Sequence, residues 1–398
     1  MKITMPKGAA FLISTLEKNG FEAYAVGGCV RDSVLGKTPA DWDITTNAFP
    51  EEVMKIFRKA GCGVVPTGIK HGTVTVLHEK CPYEVTTYRI DGEYKDGRKP
   101  EGVVFTSSLE FDLERRDFTI NAMAYNDSAG LIDLFGGITD LENKMIRCVG
   151  NADERISEDY LRMLRAYRFA AALGFEIDDD IKVVSENKKD KLSLISAERI
   201  RVEFEKTIVS DNMQKISDFM KLFGEIILPE SEGNSVCGAS KNLHVRLASL
   251  LISQTPQKAE NALRRLKYDN KTIKIVADIL KYANNVPKAD KAAIKFILSD
   301  VGKETFVLIN ELQKAMNEED DVYDKRMTLL KEIVENNEPY MLKSLNITGD
   351  EIMKATNGKP GQWLGLALKT LLNEVINNPL FNEREKLIDI IRKIEKDS

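Results

Sequence analysis

The sequence predicts an α+β chain, with an α/β head in residues 1–150 followed by a long all-helical remainder. Three observations carry this expectation. Short runs of alternating β-branched and apolar residues, clearest in Gly72 to Leu77 (GTVTVL), fade after Gly150. Beyond that point apolar residues recur at helical spacing instead. At 398 residues, finally, the chain is too long for one hydrophobic core, so two to four domains are expected.

Residues 9–19 read as an amphipathic helix stopped by Gly20. Glu22 to Val26 is a strand running into Gly27-Gly28, and Asp41 to Thr45 is a second strand. Pro50 to Ala60 has a proline start and reads as a helix. Gly72 to Leu77 and Tyr83 to Arg89 are further strands. Asp91 to Val103 (DGEYKDGRKPEGV) predicts a flexible loop, because its thirteen residues include three glycines, one proline and seven charges. Helical spacing then marks Ile156–Leu173, Ala197–Val209, Gln214–Leu222, Lys258–Leu266, Lys271–Ala283, Ala292–Leu298, Lys303–Met316, Asp324–Glu335, Trp363–Ile376 and Glu383–Glu395. No fixed-period repeat stands out, so a solenoid is not expected.

Composition narrows the class. A hydrophobic fraction of 43% with 12 prolines and 25 glycines excludes a disordered or collagen-like chain. No apolar run approaches the roughly 18 residues of a membrane span, and the first ten residues lack a secretory h-region. The five cysteines (Cys29, Cys62, Cys81, Cys148, Cys237) form no CxxC pair, which argues for a reducing cytoplasm and against structural zinc. His71, His78 and His244 are too few for a His-rich metal hydrolase. His71, His78 and the cysteines carry no chemistry that can be argued, and they are assigned to the core. Net charge is −5, which does not suggest a non-specific nucleic-acid binder. Yet ten Lys/Arg against four Asp/Glu give a local +6 between Lys258 and Lys295. That stretch is either a solvated helix face or a polyanion site.

Three constellations could carry chemistry. The first is Gly27-Gly28-Cys29-Val30-Arg31-Asp32 followed by Asp41-Trp42-Asp43. Two aspartates at i and i+2 on a strand share one face, with Trp42 on the other. Such a pair suits Mg²⁺, whose remaining positions go to water and substrate phosphates, and a turn with two solvated aspartates is the competing reading. The Gly-Gly turn would admit a triphosphate, with Arg31 as a forked cation. The second is Arg115-Arg116-Asp117, in which the arginines either meet phosphate or brace the head as ion pairs. The third is Ser157-Glu158-Asp159-Tyr160-Leu161-Arg162, continuing through Arg165 and Arg168. It reads as one helix with Ser157 as N-cap and Gly174 just past its end. Asp159 and Arg162 then form an i,i+3 ion pair or a base reader. An ionised Asp only accepts hydrogen bonds and an Arg only donates them. Cytosine and adenine both present an amino donor beside a ring-nitrogen acceptor, whereas uracil and guanine present the reverse, so one Asp–Arg pair accepts C and A and rejects U and G.

GGCVRD, DWDITTNA, HGTVTV, RRDFTINAMAY, DLFGG with Asp140, and EDYLRMLRAYRF occur in that order. Together they resemble the class II tRNA nucleotidyltransferases, the CCA-adding enzymes, within the DNA polymerase beta superfamily that also holds bacterial poly(A) polymerases. LRRLKYDNKTI and KPGQWLG extend the resemblance over nearly the whole chain. It implies a catalytic nucleotidyltransferase head (1–150), a helical neck carrying the base-selecting helix (151–207), a helical body (208–290) and a helical, tRNA-binding tail (291–398). Carried onto this sequence, Asp41 and Asp43 are catalytic and hold Mg²⁺. Gly28, Arg31 and Arg116 contact the nucleotide, Asp159 and Arg162 select the base, and Arg165 and Arg168 support them and the triphosphate. Glu158 would orient Arg162, and no third catalytic carboxylate is assigned.

The implied function is template-independent addition of CCA to tRNA 3′ ends from CTP and ATP, releasing pyrophosphate. An A-adding enzyme or a poly(A) polymerase is the alternative. Asp91 to Val103 matches a loop that switches specificity from C to A, and its full length argues against CC-only addition. No phosphatase activity is expected, since the HD domain of some longer relatives has no counterpart here. The tRNA acceptor arm is the expected partner, held by backbone contacts to body and tail. A membrane or an obligate protein partner is not expected.

Overall fold

A computed structural model describes residues 2–92, 102–236, 238, 240–283, 288–316, 321–356 and 361–396. It divides into two compact units, Met1–Pro229 and Glu230–Ser398. The first unit opens with α1 (Lys7–Lys18), β1 (Ala23–Val26), α2 (Gly28–Val34), β2 (Ile44–Thr46), α3 (Pro50–Lys59), β3 (Gly63–Gly68), β4 (Thr73–His78) and β5 (Cys81–Thr87). Then come β6 (Arg89–Asp91), β7 (Val103–Phe105), α4 (Leu109–Glu114), β8 (Met123–Asn126), β9 (Gly130–Asp133) and α5 (Gly137–Glu142). One seven-stranded sheet runs in the order β3-β4-β5-β2-β1-β8-β9, and β6 pairs with β7 in a separate ribbon. β2 and β5 are parallel, whereas every other neighbouring pair in the large sheet is antiparallel.

Alternation explains where the strands sit. Val74, Val76 and Val85 are fully buried while Thr73, Thr75 and Thr86 are half-buried, as period two requires of a sheet covered on one face. β8 is buried along its whole length and β3 lies on the edge. Tyr83 to Arg89 proves to be two strands, since β5 ends at Thr87 and β6 begins at Arg89. Most of the expected loop, 93–101, lies outside the described residues.

The unit continues with β10 (Met145–Ile146), α6 (Ala152–Glu158), α7 (Leu161–Leu173), β11 (Glu176–Ile177), α8 (Asp179–Lys188), α9 (Ala197–Ile208) and α10 (Met213–Ile227). Here one expectation is corrected. The single helix over Ile156–Leu173 is two helices, because Asp159 is extended at φ −146, ψ 103. Asn151, not Ser157, caps α6 by accepting from Asp153 and Glu154 N–H. Ser157 instead donates to the Asp153 carbonyl from within the helix. α7 ends at a left-handed Gly174, as expected.

The second unit is helical: α11 (Leu243–Leu250), α12 (Pro256–Arg265), α13 (Asn270–Ala283), α14 (Lys291–Met316), α15 (Val322–Glu335), α16 (Gly349–Thr356), α17 (Gln362–Asn377) and α18 (Arg384–Lys396). Gly302, at φ 79, ψ 170, interrupts α14 and separates the two helices that the sequence spacing anticipates there. Ile352, Leu371, Val375, Leu387 and Ile391 knit α16, α17 and α18 into one core. Lys295 is 1% exposed and pairs with Glu338, so this lysine leaves the basic surface counted from sequence. Among the described residues no helix is long and apolar enough to cross a membrane. Cys29 and Cys148 are buried as assigned, but Cys81 and His71 are exposed, and His78 is half-buried against Phe11.

Candidate active site

The aspartate pair lies just ahead of β2, where it had been expected on the strand itself. Asp41 and Asp43 are both exposed while Trp42 is buried, so the alternation of faces survives without strand pairing on both sides. The Val26 N–H donates to the Asp43 carbonyl at 3.0 Å, which fixes this segment beside β1 and the Gly27 turn. Surrounding protein raises the Asp43 carboxyl above its ordinary value. Glu84 on β5 and Asp41 push the same way, and Arg116 opposes them. Glu84 and Asp41 thus both disfavour the charge on Asp43, which a cation would offset. Glu84 escaped the sequence reading because an acid on an exposed strand face looks solvated.

Oxygen donors of this kind fit a hard divalent cation. Among the described residues no cluster of three or more His, Cys, Asp or Glu ligands converges. Two carboxylates completed by phosphate oxygens and water are the usual protein share for Mg²⁺.

The glycines beside the pair make room. Gly27 has φ +79, and a Cβ there would lie 3.1 Å from Arg116 Nη1. A Cβ on Gly28 would lie 3.6 Å from Arg31 Nη2. Two guanidiniums therefore border a cradle that side chains at either position would fill.

Asp112 organises the arginines. It is fully buried and accepts from Arg115 at 2.8 Å, Arg116 at 3.3 Å and Thr45 Oγ1 at 3.1 Å. Burial alone would raise its carboxyl, but the two arginines bring it below the usual carboxylate range. Arg115 is thereby the brace that the sequence allowed. Asp117 Oδ2 takes Arg165 at 2.7 Å, and its Oδ1 takes the Phe118 N–H at 2.9 Å and Asn121 at 3.2 Å. Burial opposes ionisation there too, yet Arg165, Asn121 and Arg162 hold the carboxyl at about 2.

Asn121 accepts from Arg31 Nη1 at 2.6 Å. It sits in a 3-10 turn, Thr119–Asn121, and the turn is locked from behind. Thr119 Oγ1 donates to Asp140 at 2.6 Å, and Asp133 accepts from the Gly137 and Ile138 N–H groups at 2.8 Å each. The DLFGG motif is thus a scaffold for the arginine loop.

Asp159 and Arg162 are not an ion pair. Asp159 Oδ2 takes Arg199 of α9 at 2.6 Å, and Oδ1 accepts the Leu161 N–H at 3.1 Å. Arg162, 7% exposed, donates to Glu158, to the Arg155 carbonyl at 2.7 Å and to the Arg115 carbonyl at 3.3 Å. Glu158 does orient Arg162. Each member of the pair is fixed by a third group, which leaves an acceptor and a donor held independently. Arg165 and Arg168 share Glu203, also from α9, at 3.6 and 2.6 Å. Arg199 and Glu203 lie one turn apart on α9, so that helix holds Asp159, Arg165 and Arg168 together. Neither was singled out from sequence, because their i,i+4 spacing says nothing of which helix they face.

Three family models match the chain in order. The Poly A polymerase head domain covers residues 23–147, "Probable RNA and SrmB- binding site of polymerase A" covers 174–232, and tRNA nucleotidyltransferase domain 2 covers 240–391. A CCA-adding enzyme of Bacillus cytotoxicus is 35% identical over 395 residues, 96% of either chain. One from Listeria monocytogenes is 36% identical over 386 residues, 94% of this chain and 95% of that one. The crystal structure of the Bacillus stearothermophilus CCA-adding enzyme in complex with CTP superposes with a TM-score of 0.86 at 30% identity, over 99% of this chain and 100% of that one.

Proposed function

The chain belongs to the CCA-adding enzymes, tRNA nucleotidyltransferases with a poly(A) polymerase head, and from that premise we infer that it adds CCA to tRNA 3′ ends from CTP and ATP, releasing pyrophosphate. The observation that carries this reading is likeness at 35% identity over 96% of both chains. An A-adding enzyme or a poly(A) polymerase is not favoured, because relatives at 35% and 36% identity over 96% and 94% of the chain are CCA-adding enzymes.

The terminal 3′-OH attacks the α-phosphate and pyrophosphate leaves in line. Asp41 and Asp43 would hold Mg²⁺, which supplies charge for both the attacking and the leaving oxygen. Arg31, Arg116, Arg165 and Arg168 receive the triphosphate beside Gly28, and their fixed guanidiniums stabilise its charge without reorganising. Asp159 accepts the amino group of C or A while Arg162 donates to the ring nitrogen. Uracil or guanine would face acceptor with acceptor and donor with donor, which leaves buried groups unpaired.

We assign residues 1–150 to the head, 151–207 to a neck, 208–290 to a body and 291–398 to a tail. Body and tail hold the tRNA backbone, with exposed Arg264, Lys274 and Lys281 as contact candidates. The four described cysteines are free, which supports placement in the cytoplasm. Asp41→Asn and Asp43→Asn test the site: each should reduce nucleotide incorporation at least 100-fold (an order-of-magnitude expectation for lost charge stabilisation) with tRNA binding within about threefold. Retained turnover with lost tRNA binding would overturn the assignment.

A further inference from the structure

Three of the phosphate-site arginines meet on one aromatic ring. The guanidinium carbons of Arg168, Arg31 and Arg165 lie 3.8, 5.1 and 5.6 Å from the centroid of Phe169. All three fall within the range of about 6 Å over which a cation feels a ring's negative face. Arg31 comes from α2 in the head, whereas Arg165 and Arg168 come from α7. We propose that Phe169 is a positioning residue for triphosphate recognition, gathering the head and α7 guanidiniums into one cluster. The inference rests on the reading of these arginines as phosphate contacts.

Phe169 is 6% exposed and packs edge-on to Phe118, with centroids 5.7 Å apart and planes at 82°. Its orientation is therefore set from the core side, independently of the arginines. Each arginine also has a carboxylate: Asp32 for Arg31 at 2.8 Å, Asp117 for Arg165 at 2.5 Å and Glu203 for Arg168 at 2.6 Å. Acid and ring thus fix every guanidinium at two points. Guanidinium suits this role because it is planar and weakly hydrated, so it stacks where an ammonium would not.

The cluster is electrostatically crowded. Burial lowers the Arg168 pKa, and Arg165 and Arg31 add to that against Glu203 and Asp117. Like charges held this close favour an arriving polyanion. A purely structural Phe169 would need only apolar volume, which leucine or a fluorinated ring supplies. A platform needs the electron-rich face.

The test compares wild type with Phe169→Tyr, Phe169→Leu and a protein carrying 3,4,5-trifluorophenylalanine at position 169, whose shape is nearly unchanged but whose ring face is no longer negative. KM and kcat for CTP and ATP are measured on saturating tRNA, together with the melting temperature. The trifluoro variant should melt with wild type while its KM for both nucleotides rises about tenfold, and kcat should stay within about threefold. Phe169→Tyr should stay near wild type and Phe169→Leu should match or exceed the trifluoro defect. An unchanged KM in the trifluoro variant would reduce Phe169 to packing and overturn the proposal. Arg168→Ala, measured in parallel, separates the two ideas. If it leaves nucleotide KM unmoved, the phosphate reading itself fails. If it raises KM and the trifluoro variant does not, only the role of the ring fails.

Discussion

Arg199 should govern base choice without touching the nucleotide. Asp159 stands in the break between α6 and α7, and its Oδ2 is held by Arg199 at 2.6 Å. The Leu161 N–H at 3.1 Å is the second restraint. In Arg199→Ala the carboxylate keeps the bond from a backbone N–H and loses the one from a cation. The pair is mostly shielded, with Arg199 27% and Asp159 16% exposed, so solvent screening is incomplete. A hydrogen bond to a charged group contributes about 1.5–3 kcal/mol. If that sum sets the orientation of Asp159, the ratio of kcat/KM for CTP over UTP should fall about 10- to 100-fold. The assay is single-nucleotide extension of tRNA lacking CCA with each of the four nucleotides, plus thermal melting as a folding control. Arg199→Lys keeps the charge but not the fork, and it should recover part of the discrimination. Equal losses of kcat/KM for all four nucleotides would refute the reasoning and leave Arg199 as scaffold only.

Two further predictions concern stability. Asp117 has a folded pKa of about 2 against an ordinary 3.8, so its contribution is fully present above about pH 4 and is lost as pH falls through 2. Urea unfolding from pH 5 to pH 2 should show the wild type losing more stability than Asp117→Asn, up to about 2 kcal/mol; parallel acid slopes would contradict this. Gly137→Ala would place a Cβ 2.4 Å from the Thr119 carbonyl oxygen, so the Thr119–Asn121 turn must shift. A loss of about 1–3 kcal/mol by chemical denaturation is expected, with a raised nucleotide KM through Asn121 and Arg31, and unchanged stability would show that the turn is not locked there.

Local chemistry was legible and distant chemistry was not. The alternation in Gly72 to Leu77 located β4, and Pro50 located the start of α3, because both signals reside within a few residues. β8 escaped because a strand buried on both faces shows no alternation. β3 escaped because Pro66 and two glycines look like a turn, although proline is tolerated on an edge strand. The break at Asp159 has no glycine or proline to announce it; its partner is Arg199, forty residues away. The residues named for metal, phosphate and base were recognised as types in a motif. Asp112, Arg199 and Glu203, which hold them, lie outside every quoted motif, and Phe169 closes one without a polar group to mark it; all four emerge only when α4, α7 and α9 are packed together. Lys295 shows the converse, a charge counted as surface that the fold buries against Glu338.

The most direct test is extension of tRNA transcripts ending before CCA, after C and after CC, with Mg²⁺ and CTP, ATP, UTP or GTP singly and CTP with ATP together. Two C and then one A on the first transcript, followed by a stop, with UTP and GTP excluded, is the outcome the account requires. A single A on the CC-ended transcript alone, or a long A ladder on any RNA, would contradict it.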